Sequence, residues 1–297
     1  MKKIFVLSLI ASAFLFGCSD DTTTTTPATT GGGDGGGGTT ELTVDNTQRS
    51  ILWYWTATWC GPCGSSGSPL FKQMIDENEG VDIVAIDLHS SGSSRLVPGN
   101  DVGPYPFAPQ IALSIRPNGF IPLFTLNNEF QGNSSVNVGT VNSKIDAHNA
   151  MDATVGVAAS ASADGNTITV KTKTKFFEET SGDYHISVLL LEKDVIAPQQ
   201  VGGTLDNNFA HRQVVRASVV GGSLETQEGI SNDAIASGSI SADTEVEGEY
   251  TIEWEKVDMP DGYASWDFDK ANTSVVVVIW KKNGTIFDTV NTIELDL

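Results

Sequence analysis

The feature that most restricts what this chain can fold into is a five-residue run, Trp59-Cys60-Gly61-Pro62-Cys63, set directly behind the apolar segment Ile51 to Thr58. Ile51 to Thr56 is almost continuously apolar, as expected of a strand covered on both faces. The five-residue run holds two of the chain's three cysteines. Thiolate is the reactive form of cysteine, and a Cys-x-x-Cys loop leading into a helix supplies peptide N–H groups and a helix dipole to stabilise it. One sulfur attacks and the other resolves.

From Glu41 to about Asp152 the pattern alternates strand and helix, which predicts an α/β layer. Ser68-Pro69 reads as a helix start with proline at the first helical position, and Leu70, Phe71, Met74 and Ile75 recur at helical spacing. Val81 to Leu88 reads as the next strand, parallel to the first. Ile121 to Leu126 and Glu129 to Gln131 form a hairpin across Asn127-Asn128, and Val138, Val141 and Ile145 mark a closing helix. Between His89 and Gln110 lies a proline- and serine-rich insertion, too long for an ordinary connection and a candidate wall for a substrate groove.

Trp59 to Cys63 after an apolar strand resembles the active-site loop of thioredoxin, and Gly119-Phe120-Ile121-Pro122-Leu123-Phe124 is similar to that fold's cis-proline segment. The resemblance implies Cys60 as nucleophile, Cys63 as resolving thiol and Pro122 as the cis-proline facing them, with Trp59 and Ile121 contacting substrate. Two positions depart from the pattern. Tyr54 stands where thioredoxins carry a buried aspartate that moves protons, and a phenol with a reference pKa of about 10 is a poor substitute. Gly64-Ser65-Ser66-Gly67-Ser68 has weak helix propensity where thioredoxin has continuous helix.

The N-terminus begins with Lys2 and Lys3, an apolar stretch from Ile4 to Phe16, and Gly17-Cys18, the layout of a secretory signal (residues 1–18). Leu15 to Cys18 resembles a lipobox, which implies lipidation at Cys18 and membrane attachment through it. Ser19-Asp20-Asp21 resembles the acidic tag that sends lipoproteins of Bacteroidota to the cell surface. Residues 19–40 are rich in threonine and glycine and read as a flexible tether. With Cys18 carrying lipid, one vicinal pair remains, and an oxidising compartment favours its disulfide form.

Past Asp152 the period changes to two. Asp164-Gly165-Asn166 turns between alternating strands, and further strands follow at His185 to Leu191, Arg212 to Val219, Glu249 to Glu255, Thr273 to Lys281 and Thr285 to Leu295. The reading is a thioredoxin-like α/β domain over 41–152 followed by an all-β, immunoglobulin-like sandwich over 153–297. This order of parts, with Asn208 to Ala217 matching a His-x-x-Val-x-Arg segment, resembles the outer membrane protein 28-related lipoproteins of Bacteroidota.

The formal net charge is −20, with seventeen basic residues, which disfavours nucleic acid and anionic surfaces as partners. Asp258 to Asp261 and Asp267 to Asp269 offer oxygen ligands of the kind Ca²⁺ takes, without EF-hand spacing. The four histidines, His89, His148, His185 and His211, are scattered and compose no four-ligand zinc site. His89 reads as a solvent-facing loop residue at a strand end, and His211, beside Arg212 and Arg216, as strand decoration. No metal site or cofactor is expected, and hydrolase and nucleotide motifs are missing from the sequence. Two functions stay open: thiol–disulfide exchange with protein or peptide partners, and a binding or adhesion lipoprotein in which Cys60 and Cys63 form a structural clasp. The composition carries no signal for an oligomeric state.

Overall fold

A computed structural model describes residues 41–89, 120–219, 233–253 and 270–297. The signal segment with Cys18, the tether, the insertion after His89 and the acidic loops around 258–269 lie outside the described residues. Strand β1 (Ser50–Thr56) is buried at every position. It runs parallel to β2 (Ile83–His89) and antiparallel to β3 (Leu123–Leu126). A parallel pair needs a crossover. Here a π-helical turn, Cys63–Gly67, feeds directly into α1 (Ser68–Glu77).

Ser68-Pro69 therefore lies inside a helical segment that is already wound, not at its start. The Tyr54 hydroxyl accounts for the widened turn: it donates to the Cys63 carbonyl at 3.1 Å. Gly67 lets it in, because a Cβ there would meet Tyr54 Oη at 2.5 Å and Pro122 Cβ at 2.7 Å. Strand β3 turns at Asn127, with φ at 52°, into β4 (Glu129–Gly132). Helix α2 (Val138–Asn149) follows, its first turn capped by Asn137. Both helices cover one face of β1 and β3, with Phe71, Met74, Val141 and Ile145 packed on Leu52, Tyr54 and Phe124.

The remaining elements of the described chain are strands apart from one short 3₁₀ turn: β5 (Val155–Asp164), β6 (Thr167–Phe176), β7 (Thr180–Ser181), β8 (Asp183–Val201), β9 (Thr204–Val219), β10 (Asp233–Ala236), β11 (Ser239–Ile240), β12 (Thr244–Glu253), β13 (Thr273–Asn283) and β14 (Ile286–Asp296). The protein is thus mostly β-sheet with few helices. The largest sheet has nine strands and runs β14-β13-β8-β9-β2-β1-β3-β4, with β10 added to β8. A second sheet, β12-β6-β5, has three.

Side chains of β8 and β13 alternate between two cores, as the period of a strand requires. Leu189, Leu191, Val276, Val278 and Trp280 join Trp53, Trp55 and Ile86 on one side. Ile186, Val188, Leu190, Val275, Val277 and Ile279 face the three-stranded sheet on the other. Strands β1 and β13 are not neighbours in the sheet, yet Trp53 stacks on Trp280 with centroids 5.8 Å apart. The large sheet must therefore curl over that core, and Asn128 Nδ2 donates to the Phe287 carbonyl at 2.8 Å where the curl brings its ends together.

The division expected between 152 and 153 falls between α2 and β5, but the sheet continues across it through β9 and β2. The C-terminal strands do form two facing sheets, yet β8, β9, β13 and β14 share their sheet with β1 to β4. That is not the self-contained strand set of an immunoglobulin-like sandwich. No helix among the described residues is long and apolar enough to cross a membrane.

Candidate functional site

The loop after β1 is a tight succession of turns in which Cys60 N–H donates to Ala57 O at 3.1 Å and Cys63 N–H to Cys60 O at 3.1 Å. This curvature brings the two cysteines to a Cα separation of 5.2 Å, and they are joined as a disulfide. The Cys63 N–H also points at Cys60 Sγ, 3.2 Å away, a donor suited to a thiolate there. Cys63 is fully buried and Cys60 is 4% exposed, while Trp59 beside them is 41% exposed.

Ile121 reaches the same place from the other side of β1. Its carbonyl lies 3.8 Å from Cys60 Sγ, and the Ile121-Pro122 peptide is cis. Asn133 fixes this segment by donating to the Phe120 carbonyl at 2.6 Å and the Pro122 carbonyl at 2.8 Å. Cys60, Cys63, Ile121 and Pro122 are therefore adjacent, with Trp59 at the rim. Cys18 lies outside the described residues.

Sequence reasoning missed what covers the loop. The tip of the β8–β9 hairpin lies across it: Gln200 N–H donates to Thr58 O at 2.7 Å and Gly202 N–H to Gly61 O at 3.1 Å. The Gln199 amide, buried, donates to Ala57 O at 3.2 Å and Cys60 O at 3.0 Å. The fit is close enough that a Cβ on Gly61 would meet Gly202 O at 2.3 Å, and one on Gly64 would meet Gln200 O at 2.3 Å.

Beneath β1 lies a second polar group. Asp87 pairs in register with Tyr54, so both project to the helix-covered face, and His89, two residues on, projects with Asp87. His211 comes to them from β9. Exposures are 2% for Asp87, 1% for His89 and 2% for His211, so the reading of His89 as solvent-facing is corrected, and His211, read as strand decoration, does lie on a strand but is buried in this cluster. His89 Nε2 is 3.4 Å from Asp87 Oδ2, and the rings of His89 and His211 meet edge to face at 5.1 Å. Arg212, next to His211 in the chain, faces Asp194 at 3.7 Å.

Burial raises the Asp87 carboxyl above its ordinary range, with His89 opposing. Burial and the neighbouring His89 push His211 well below its usual value, against the pull of the Ala197 and Pro198 carbonyls. Burial, with Asp87 adding, raises Tyr54 far above an ordinary phenol, so its hydroxyl stays a neutral donor. A carboxylate inside a strand buried on both faces, with histidine two residues later, is a signal the sequence did carry. Nothing local pointed to His211.

The chain is thus a curled, mostly β protein with a helix-covered edge and a Cys-x-x-Cys disulfide under a hairpin. No protein-family model matches the sequence, and no curated protein matches it. Among solved structures, HBP35 of Porphyromonas gingivalis matches with a TM-score of 0.59 at 16% identity, over 84% of this chain and 76% of that one. At that identity the likeness speaks for the fold. Its organism belongs to the Bacteroidota, the group to which the lipoprotein resemblance also points. R. palustris CsgH matches with a TM-score of 0.20 at 12% identity, over 48% of this chain and 91% of that one, too loosely to carry an argument.

Proposed function

We infer that this chain is a thioredoxin-like thiol–disulfide exchange protein, held at the outer membrane, on the cell surface, by lipid on Cys18. The observation that carries the reading is the Cys60–Cys63 disulfide at the end of a buried strand, with the Cys63 N–H aimed at Cys60 Sγ and the Ile121 carbonyl alongside. In the reducing direction the Cys60 thiolate attacks a substrate disulfide, forming a mixed disulfide and releasing one substrate thiolate. Cys63 then attacks Cys60 Sγ and releases the second. Two electrons pass to the substrate, and the Cys60–Cys63 bond is restored. In the oxidising direction a substrate dithiol runs the same steps backwards. Protein or peptide thiols and disulfides are the partners this chemistry takes.

One observation favours a second reading, a binding lipoprotein whose disulfide is a structural clasp. Cys60 is 4% exposed beneath the β8–β9 tip, and attack on a disulfide needs access to a sulfur. The reduction potential of the pair, measured by equilibration with dithiothreitol or glutathione, separates the two. A value in or near the range of working oxidoreductases, about −120 to −270 mV, together with mixed disulfides trapped on Cys60 by Cys63→Ser, supports exchange. A value well below about −300 mV with no trapped partner supports the clasp.

A further inference from the structure

Asp87, His89 and His211 present one ligand atom each, and these atoms all lie within 4.8 Å of one another. Each residue is more than nine-tenths buried. Buried polar atoms are normally hydrogen-bonded, and those that are not call for a cause such as an ion. Here Asp87 Oδ1, His89 Nδ1 and His211 Nε2 have no hydrogen-bond partner, and His89 Nε2 makes no well-formed hydrogen bond, only its 3.4 Å approach to Asp87 Oδ2. Three orphaned atoms in one interior cluster would be an unusual structural feature if nothing joined them.

The orientation of His211 gives the second argument. The backbone carbonyls of Ala197 and Pro198 lie against its ring and favour a proton there, while Nε2 has no partner. That leaves Nδ1 as the protonated nitrogen and an Nε2 lone pair facing the cluster, the arrangement by which a carbonyl fixes the tautomer of a metal-bound histidine. The third argument is position. Strands β2 and β9 meet in the large sheet at a single paired position, Asp87 with Val214. The ligands come from both of these strands, two from β2 and one from β9, so an ion held by them would tie the sheet where its own ladder is shortest.

We propose that Asp87, His89 and His211 form a buried binding site for a divalent first-row transition metal, with two imidazoles and one carboxylate as ligands. This donor set suits Zn²⁺ and its neighbours rather than the oxygen-seeking Ca²⁺ or Mg²⁺. Enclosure and placement give the ion a structural task, joining β2 to β9. Cys60 and Cys63 take no part, so the site stands or falls independently of any thiol chemistry.

The test is a Co²⁺ titration of the purified, chelator-treated full-length protein with Cys60–Cys63 oxidised, followed by displacement with Zn²⁺. One equivalent should bind with visible ligand-field bands, without thiolate-to-cobalt charge transfer, and should raise the melting temperature. His211→Gln should weaken binding by about 100-fold or more, since even indirect partners of a ligand cost 10 to 100-fold. His148→Gln, a half-buried histidine of α2, should bind as the wild type does. Asp87→Asn keeps the side-chain shape and serves as a second arm should His211→Gln unfold by circular dichroism. Should both unfold, the wild-type spectrum decides. No stoichiometric binding, a thiolate band, or undiminished binding in a folded ligand variant would overturn the proposal.

Discussion

Glu294 on β14 is the most informative acid outside the two polar centres. Burial raises its carboxyl above the ordinary glutamate range, while the Ser274 hydroxyl and Lys193 pull the other way. Glu294 Oε1 accepts from Ser274 Oγ at 2.6 Å and from Gln213 Nε2 at 3.4 Å. A carboxyl raised on folding binds its proton more tightly in the folded chain than in the unfolded one. Its contribution to stability is therefore fully present below about 4.5 and is lost as pH rises through the folded value. Glu294→Gln keeps an acceptor for Ser274 and removes the ionisation. Denaturant midpoints followed from pH 4 to 8 should fall less steeply for the variant, leaving it the more stable protein at neutral pH. Parallel pH profiles would show that this carboxyl is not the source.

Between elements, the contact with most leverage is the β8–β9 tip on the cysteine loop. Gly64→Ala places a Cβ 2.3 Å from Gln200 O and 2.8 Å from Gln199 Cγ, in a helical turn where alanine would otherwise be the better residue. The tip must lift. Reduction of the disulfide by dithiothreitol should then run about tenfold faster, which corresponds to about 1.4 kcal/mol, within the usual cost of overpacking. An unchanged rate would mean that the tip does not limit access. Elements built from near neighbours were legible in the sequence: the strand before the cysteines, the β3–β4 hairpin at Asn127, and α2 from Val138, Val141 and Ile145. The hairpin arm was not, because period-two alternation identifies a strand without naming its partner. The same limit hid the polar cluster, since Asp87 and His89 share a face through local spacing while His211 arrives by a pairing the sequence does not encode locally. The turn at 63–67 was misread because its propensity is weak and a tertiary hydroxyl, Tyr54, decides its winding.

At the scale of the molecule, the curled sheet makes the two halves of the chain depend on one another. Trp53 packs on Trp280, Gln48 Nε2 donates to Val290 O at 2.8 Å, and Asn291 Nδ2 donates to Thr47 O at 2.9 Å. A fragment of residues 41–152 would expose the β2 edge and one face of β1, an area its own helices do not cover. Expressed alone it should lack a cooperative thermal transition, whereas residues 41–297 should melt in one step by near-ultraviolet circular dichroism. Two resolved transitions in the longer chain, or a folded fragment, would mark the halves as separate domains. The hairpin that crosses the cysteine loop has a consequence of another kind. Apart from Gln199, the dock is made by peptide groups, so it is indifferent to most lettering and strict about spacing. The sequence of the arm near its tip is free to drift over generations, but one inserted residue would shift every peptide out of step with the loop beneath it.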